Sequence, residues 1–485
     1  MQERFLFILL LAAYYCSFRT AIAATGAVTF DFGTTVCQGS PFVFGACKFP
    51  MKDQQADFYP KLKETGVTFL RADFYFEHII PTNKCASVSD YRNNVNGIQN
   101  PDTWEYRHLY WIDSSRKHGF KTFISATYTP DWLSCSGTYK GAPKDWMVWE
   151  DIVKKVYTRY KTRVDWVETW NEAEYFCDLT GSPYTSKEDF LVDDFYHTVK
   201  AIRDAGGTIP TGGFAFAYDR TDVFQGILKR LVAKYGKSWT EANFDFYSVH
   251  HYGTEPGKVN LQDIRNALHS AGLNPFKGVF VDEWNYTTDW GRGAGELHDA
   301  KAIGYVGKSL ACFIKCGVNA AYYCVYPVQA PVLDPDLPGV TPFISGLGFY
   351  TTNGNSTTPL PQSYPFKVLS NRLGLGKGIY VVKNVSDQSL IDACCAINSA
   401  GQKVAFIANY YDSPNTVNII FKGLEGRKVN ITDYYANAWD PSCNAYSTIT
   451  KDVSKGLTSH SINMVANTCV GLVIAPATNE LSSMK

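Results

Sequence analysis

Between about residues 40 and 375, short apolar runs alternate with longer amphipathic stretches. Val43-Phe44-Gly45-Ala46 predicts a first strand, and Asp57–Thr65 a helix that Gly66 ends. Val67–Arg71 predicts a second strand, with helix Tyr106–His118 behind it. Strands three to eight are predicted at Lys121–Ala126, Trp166–Trp170, Thr211–Phe216, Phe244–Val249, Gly278–Val281 and Ala320–Val325. Helical spacing fills the gaps at Val148–Tyr160, Ser186–Ala205, Val223–Tyr235, Leu261–Ser270 and Ala300–Lys315, and Phe366–Leu373 closes the series. Ser186 followed by Glu188 and Asp189 is a helix-start signal. Eight strand–helix units predict a (β/α)8 TIM barrel with enlarged loops. A doubly wound sheet is the competing arrangement, but no G-x-G-x-x-G follows the first strand.

After Gly378 the texture changes. Runs such as Lys403–Ala408 and Val417–Phe421 are separated by Asn, Gly, Asp and Pro, which predicts a C-terminal antiparallel β-sandwich. The predicted domains are a signal peptide at 1–23, a strand segment at 24–39 able to join the sandwich, the barrel at 40–377, and the sandwich at 378–485. Gly339–Pro361 reads as a long loop after strand eight.

Composition narrows the partners. Among 485 residues, 46 Lys and Arg balance 46 Asp and Glu, so no long-range field draws nucleic acid. Arg4, the apolar run Phe5–Tyr15 and the small-x-small Ala21-Ile22-Ala23 form an export signal too short to span a bilayer. After its cleavage no membrane partner is expected, and the localisation is extracellular. The oligomeric state is not encoded legibly. Of 13 Cys, Cys16 leaves with the signal; export predicts that most of the remainder pair as disulfides, at least one of them among Cys394, Cys395, Cys443 and Cys469. Sequons at Asn285, Asn355, Asn384 and Asn430 are candidate glycan sites.

Barrel enzymes carry their chemistry at the C-terminal ends of strands. Strand four ends in Trp170-Asn171-Glu172, strand seven in Asp282-Glu283-Trp284-Asn285, and strand six in His250-His251-Tyr252. Two carboxyls facing each other across the mouth suit glycosidic cleavage, where one must protonate the leaving oxygen while the other stays ionised. Glu168 reads as a strand ion pair, Glu174 as a loop residue and Asp282 as a supporting partner. Trp132, Trp284 and Trp290 follow strand ends and are candidates to stack on sugar. His250 and His251 face opposite ways on a strand and cannot share a metal, and no cofactor is called for.

The motifs carry a resemblance. Glu168-Thr169-Trp170-Asn171-Glu172 is similar to the E-x-W-N-E signature of clan A glycoside hydrolases, family 39 above all. His250-x-Tyr252 and Glu283-Trp284-Asn285 resemble that family's sixth and seventh strands. The resemblance implies a secreted retaining glycosidase acting on a carbohydrate, with Glu172 as acid/base and Glu283 as nucleophile. It makes Asn171 a sugar 2-OH contact, has His250 and Tyr252 orient substrate and nucleophile, and places Arg71 near the nucleophile. One departure is Ala173, where many relatives have Pro. Thr129-Pro130-Asp131-Trp132 is similar to part of family 30, which competes with family 39 within the clan. Outside hydrolysis, a transglycosylase and a non-catalytic carbohydrate-binding surface protein compete with the glycosidase assignment.

Overall fold

The computed structural model describes residues 24–47, 58–106, 109–255, 257, 259–286, 300–324, 349–353, 356–387, 391–424, 428–438, 440–453 and 457–477. The signal peptide, Trp290, the Asn355 sequon and most of the loop expected at Gly339–Pro361 lie outside the described residues. A first strand, β1 (Ala24–Gly39), belongs to the C-terminal layer. Eight parallel strands then close a barrel in chain order: β2 (Gly45–Cys47), β3 (Phe69–Tyr75), β4 (Lys121–Thr127), β5 (Trp166–Thr169), β6 (Thr211–Phe216), β7 (Phe246–Tyr252), β8 (Gly278–Asn285) and β9 (Ala320–Cys324). The helices that matter below are α1 (Trp146–Tyr160), α2 (Ala173–Phe176), α3 (Lys187–Asp204), α4 (Thr221–Tyr235), α5 (Leu261–Ser270) and α6 (Ala300–Cys316).

Three boundaries differ from expectation for identifiable reasons. The first strand starts at Gly45 because Pro41–Phe44 turn as a 3-10 helix, capped by the Ser40 hydroxyl accepting the Phe42 amide at 3.2 Å. The second strand runs on to Tyr75, so Arg71 sits in its middle and not at its end. The closing helix becomes one α turn at Tyr364–Phe366 followed by a π turn at Lys367–Arg372.

A short hairpin, β10 (Tyr350–Asn353) with β11 (Ser356–Pro359), precedes the second layer. There β12 (Tyr380–Ser386), β13 (Asp392–Ile397), β14 (Lys403–Asn409), β15 (Asn415–Lys422), β16 (Lys428–Ala436), β17 (Ala445–Asp452), β18 (Leu457–Met464) and β19 (Thr468–Pro476) join β1 in one nine-stranded sheet. β1 lies between β12, antiparallel, and β15, parallel. Alternate residues such as Val28, Phe30, Ile407, Ile419, Ile431 and Leu472 enclose a core within the sheet. The other face presents Cys394, Val404, Phe406 and Ala408 to Ile303, Val306 and Leu310 of α6, which joins the sheet to the barrel. At Gly307 a Cβ would stand 2.1 Å from the Cys469 sulfur, so only glycine permits this approach.

The disulfide expectation is corrected here: all eleven described cysteines with placed side chains are free. Neighbouring Cys394 and Cys395 point to opposite faces of β13, one toward α6 and one into the sheet core. Burial pushes the thiols of Cys394 and Cys443 up to about 12, so both behave as small apolar residues.

Candidate active site

At the end of β5 the chain makes two left-handed steps, Trp170 at φ 61° and Glu172 at φ 47°, with Asn171 between them. Such conformations cost an L-residue of order 1 kcal/mol each, and local bonds hold them. The Trp170 ring turns outward onto Phe190 of α3 at 4.7 Å, and its Nε1–H donates to the Phe176 carbonyl at 3.0 Å. The Glu172 amide donates to the Ala215 carbonyl of β6 at 2.9 Å. Glu172 thereby starts α2 while its carboxyl stays over the barrel mouth.

On the opposite side, β8 contains an extra residue. Val281 pairs with Val249, yet the next residue of β7, His250, pairs with Glu283. Strict alternation would send Asp282 and Glu283 to opposite faces. The bulge brings both carboxyls to the lumen, since both reach Arg71. It also turns Trp284 outward. That residue is not a sugar platform: it is wholly buried among Phe313, Tyr323 and Phe366.

Arg71 organises the centre. It is fully buried, and its Nε–H donates to Glu168 Oε1 at 2.7 Å. Its Nη1 donates to Glu283 Oε1 at 2.8 Å and stands 3.4 Å from Asp73 Oδ1. Its Nη2 donates to Asn171 Oδ1 at 3.0 Å, also contacts Glu168, and lies 3.1 Å from Asp282 Oδ2. Burial opposes the charge, but Glu168, Asp282, Asp73 and Glu283 together hold the guanidinium well above its ordinary value. Sealed from solvent, Arg71 ties the carboxylates of three strands together beneath the mouth. Glu168 pays for its place: burial, partly offset by Arg71, pushes its carboxyl up to about 8.

His250 is the second cation. Its Nδ1 is 2.8 Å from Glu172 Oε1 and 3.9 Å from Glu283 Oε2, and its Nε2 is 3.2 Å from Asp282 Oδ2. Burial disfavours the imidazolium, yet Glu283 and Asp282 raise it well above 6.5. Because one nitrogen touches both, Glu172 Oε1 and Glu283 Oε2 are no farther apart than 2.8 and 3.9 Å laid end to end. That bound admits the ~5–5.5 Å of retaining pairs. The Tyr252 hydroxyl donates to Glu283 Oε2 at 2.7 Å. Arg71 and Tyr252 thus donate to different oxygens of the Glu283 carboxyl.

Asn171 donates from Nδ2 to the Tyr128 hydroxyl at 3.4 Å, and Tyr128 stacks on Tyr75 at 5.7 Å. Tyr75 in turn donates to Asp73 at 2.7 Å. Asp73, Tyr75 and Tyr128 escaped the sequence reading, although Asp73 and Tyr75 continue the period-two face that begins at Arg71. Trp132 is a second correction: it is buried, stacked on Tyr91 at 5.6 Å, and its Nε1–H donates to the Ile80 carbonyl. His251 faces away, 2.9 Å from the Glu255 carbonyl. Asn285 is wholly buried beside the Tyr323 hydroxyl, so its sequon cannot carry a glycan on the folded chain.

No family model matches the chain, and no curated protein matches it in sequence. Solved structures do. A glucosidase from Croceicoccus marinus superposes with TM-score 0.67 at 11% identity, over 94% of this chain and 100% of that one. A glycoside hydrolase family 39 enzyme from Xanthomonas axonopodis pv. citri gives 0.64 at 14%, over 95% and 100%. A family 30 subfamily 8 xylanase from Clostridium acetobutylicum gives 0.62 at 14%, over 93% and 100%. The chain shares its fold with these glycoside hydrolases. Both families 39 and 30 share it over nearly the whole chain, so shape does not choose between them.

Proposed function

We propose that this protein is an exported retaining glycoside hydrolase that cleaves a β-glycoside by double displacement. The observation that carries the reading is the convergence of Glu172 and Glu283 on one imidazole at the C-terminal mouth of the barrel. Glu283, with its charge held by Arg71 and Tyr252, attacks the anomeric carbon. Glu172 gives a proton to the leaving oxygen, and the bond to sugar breaks as the bond to Glu283 forms. The proton comes from the hydrogen bond that Glu172 shares with His250, with Asp282 stabilising the imidazole behind it. Glu172 then takes a proton from the incoming water, which displaces Glu283 with overall retention. The exported location rests on the leader sequence, and the substrate class on the glucosidase and xylanase among the structural neighbours.

The test separates the two glutamates. Glu283→Ala loses turnover by roughly 10⁴-fold or more on every substrate. Glu172→Ala keeps its first step on a dinitrophenyl glycoside, accumulates the glycosyl-enzyme, and is rescued by azide with a retained glycosyl azide as product. Azide rescue that instead gives a retained product with Glu283→Ala and an inverted one with Glu172→Ala exchanges the roles. Unchanged activity in both variants removes the site.

A further inference from the structure

Immediately beyond Glu172 the barrel rim opens into a cavity of about 260 Å³, between α2, the N-terminal turn of α3 and the loop from β6 to α4. Its polar lining is Glu174, Lys187, Glu188, Tyr218 and Arg220, and Phe216 and Leu191 form its floor. The charges balance in sign, two against two, so the cavity has no preference for an ion. Lys187 is already committed to structure, since its Nζ donates to the Ala173 and Glu174 carbonyls at 2.8 and 2.9 Å and ties α3 to α2. Glu174 is different. One of its carboxyl oxygens is buried without a hydrogen-bond partner, while the other accepts a long contact, 3.4 Å, from the Ala217 amide. Tyr218 is 47% exposed, and Arg220 stands 5.6 Å from the ring centroid and 3.4 Å from its hydroxyl.

The position of the cavity decides which part of a substrate it can meet. An acid/base residue lies on the leaving-group side of the bond it protonates, and the cavity begins one residue after Glu172. We propose that it is a binding subsite for the leaving portion of a neutral glycan, with Tyr218 as the stacking platform and Glu174 and Arg220 as the hydroxyl contacts. Sugar hydroxyls both donate and accept, so one ring can satisfy a carboxyl oxygen and a guanidinium N–H together. A sugar also offers a C–H face to the tyrosine. The volume lies near the lower end of small-molecule sites, ~300 Å³, which suits one ring and not a chain. Burial raises the Glu174 carboxyl above its ordinary value. This assignment rests on the hydrolase reading for the direction of the bond, but not for the existence of the site.

Binding tests it independently of turnover. Cellotetraose and xylotetraose are titrated calorimetrically into full-length Glu283→Gln protein, alone and combined with Tyr218→Ala or Glu174→Gln. Phe276→Ser serves as control, because Phe276 is 76% exposed just before β8, at the opposite end of the barrel. The expected result is binding of at least one tetraose that weakens roughly 3–10-fold in each combined variant, with the control unchanged and all unfolding temperatures alike. Failure of both tetraoses to bind, or binding indifferent to both substitutions, overturns the subsite. Tyr218-dependent binding in a protein whose parent hydrolyses no glycoside sustains the subsite and refutes the hydrolase reading.

Discussion

The floor and the mouth of the barrel lumen are made by the same strands with opposite chemistry. On the floor, Phe69, Phe123, Phe246, Phe280 and Tyr322 fill the interior, with Phe246 and Phe280 stacked at 4.2 Å and Trp166 edge-on to Phe69 at 4.7 Å. Two residues further along β3, β4, β5, β7 and β8, the inward positions become Arg71, Ser125, Glu168, Ser248 and Asp282, all fully buried. Arg71 is the seam, 5.8 Å above the Phe123 ring. The contrast teaches how such a mouth is sustained. Ring packing below supplies apolar burial and excludes water, and the resulting low dielectric strengthens each ion pair above while making any unpaired charge costly.

Breaking the two layers separately exposes that difference. Arg71→Met strands four carboxyls in the lumen and is expected to lose about 3–5 kcal/mol of folding stability near pH 8. Those carboxyls would have folded-state pKa values above their unfolded ones, so their stability is present at low pH and lost as pH rises. The deficit should therefore shrink toward pH 5. Phe123→Ala on the floor should lose about 3 kcal/mol by cavity formation, equally at both values. Urea unfolding at pH 5 and 8 checks the pair, and a pH-independent deficit in Arg71→Met would contradict the buried-charge account.

A finer probe is Glu168→Gln. The Glu168 carboxyl is raised from 4.5 to about 8, so its contribution is full below 4.5 and fades as pH climbs through about 8. Glutamine keeps the shape and does not titrate. The variant should show a stability profile flatter by about 1–2 kcal/mol between pH 5 and 8, with its relative gain at the alkaline end. Parallel profiles for the two proteins would mean that Glu168 is ionised throughout.

Period-two and period-3.6 patterning made the barrel readable, and the glutamates were found because each ends a strand beside Trp and Asn. Depth was harder. Ending the second strand at Arg71 hid Asp73 and Tyr75, whose polar side chains look like a loop until a charged lumen gives them partners. The cysteines were judged from compartment, which carries no geometry, whereas their spacing on β13 and α6 follows packing. Trp132 looked like a cleft residue from its place after a strand, but a partner 41 positions earlier, Tyr91, claims its face. The β8 bulge left no mark at all: Val281-Asp282-Glu283-Trp284 contains neither Gly nor Pro, and only pairing with β7 shows the added residue.

That bulge supports the smallest predicted effect. If Trp284 faces the outer layer, substrate never meets it, and Trp284→Phe should leave KM within about 2-fold. Stability should change by about 1 kcal/mol or less, because two contributions oppose each other. The smaller ring leaves space beside Phe313 and Phe366, while the change removes an indole N–H that is buried without a hydrogen-bond partner. Steady-state kinetics on the substrate identified by the azide experiment, with thermal unfolding alongside, measures both. A KM raised 10-fold at unchanged stability would put Trp284 back in the cleft. Glu283 would then face the outer layer, because neighbours on a regular strand cannot share a face.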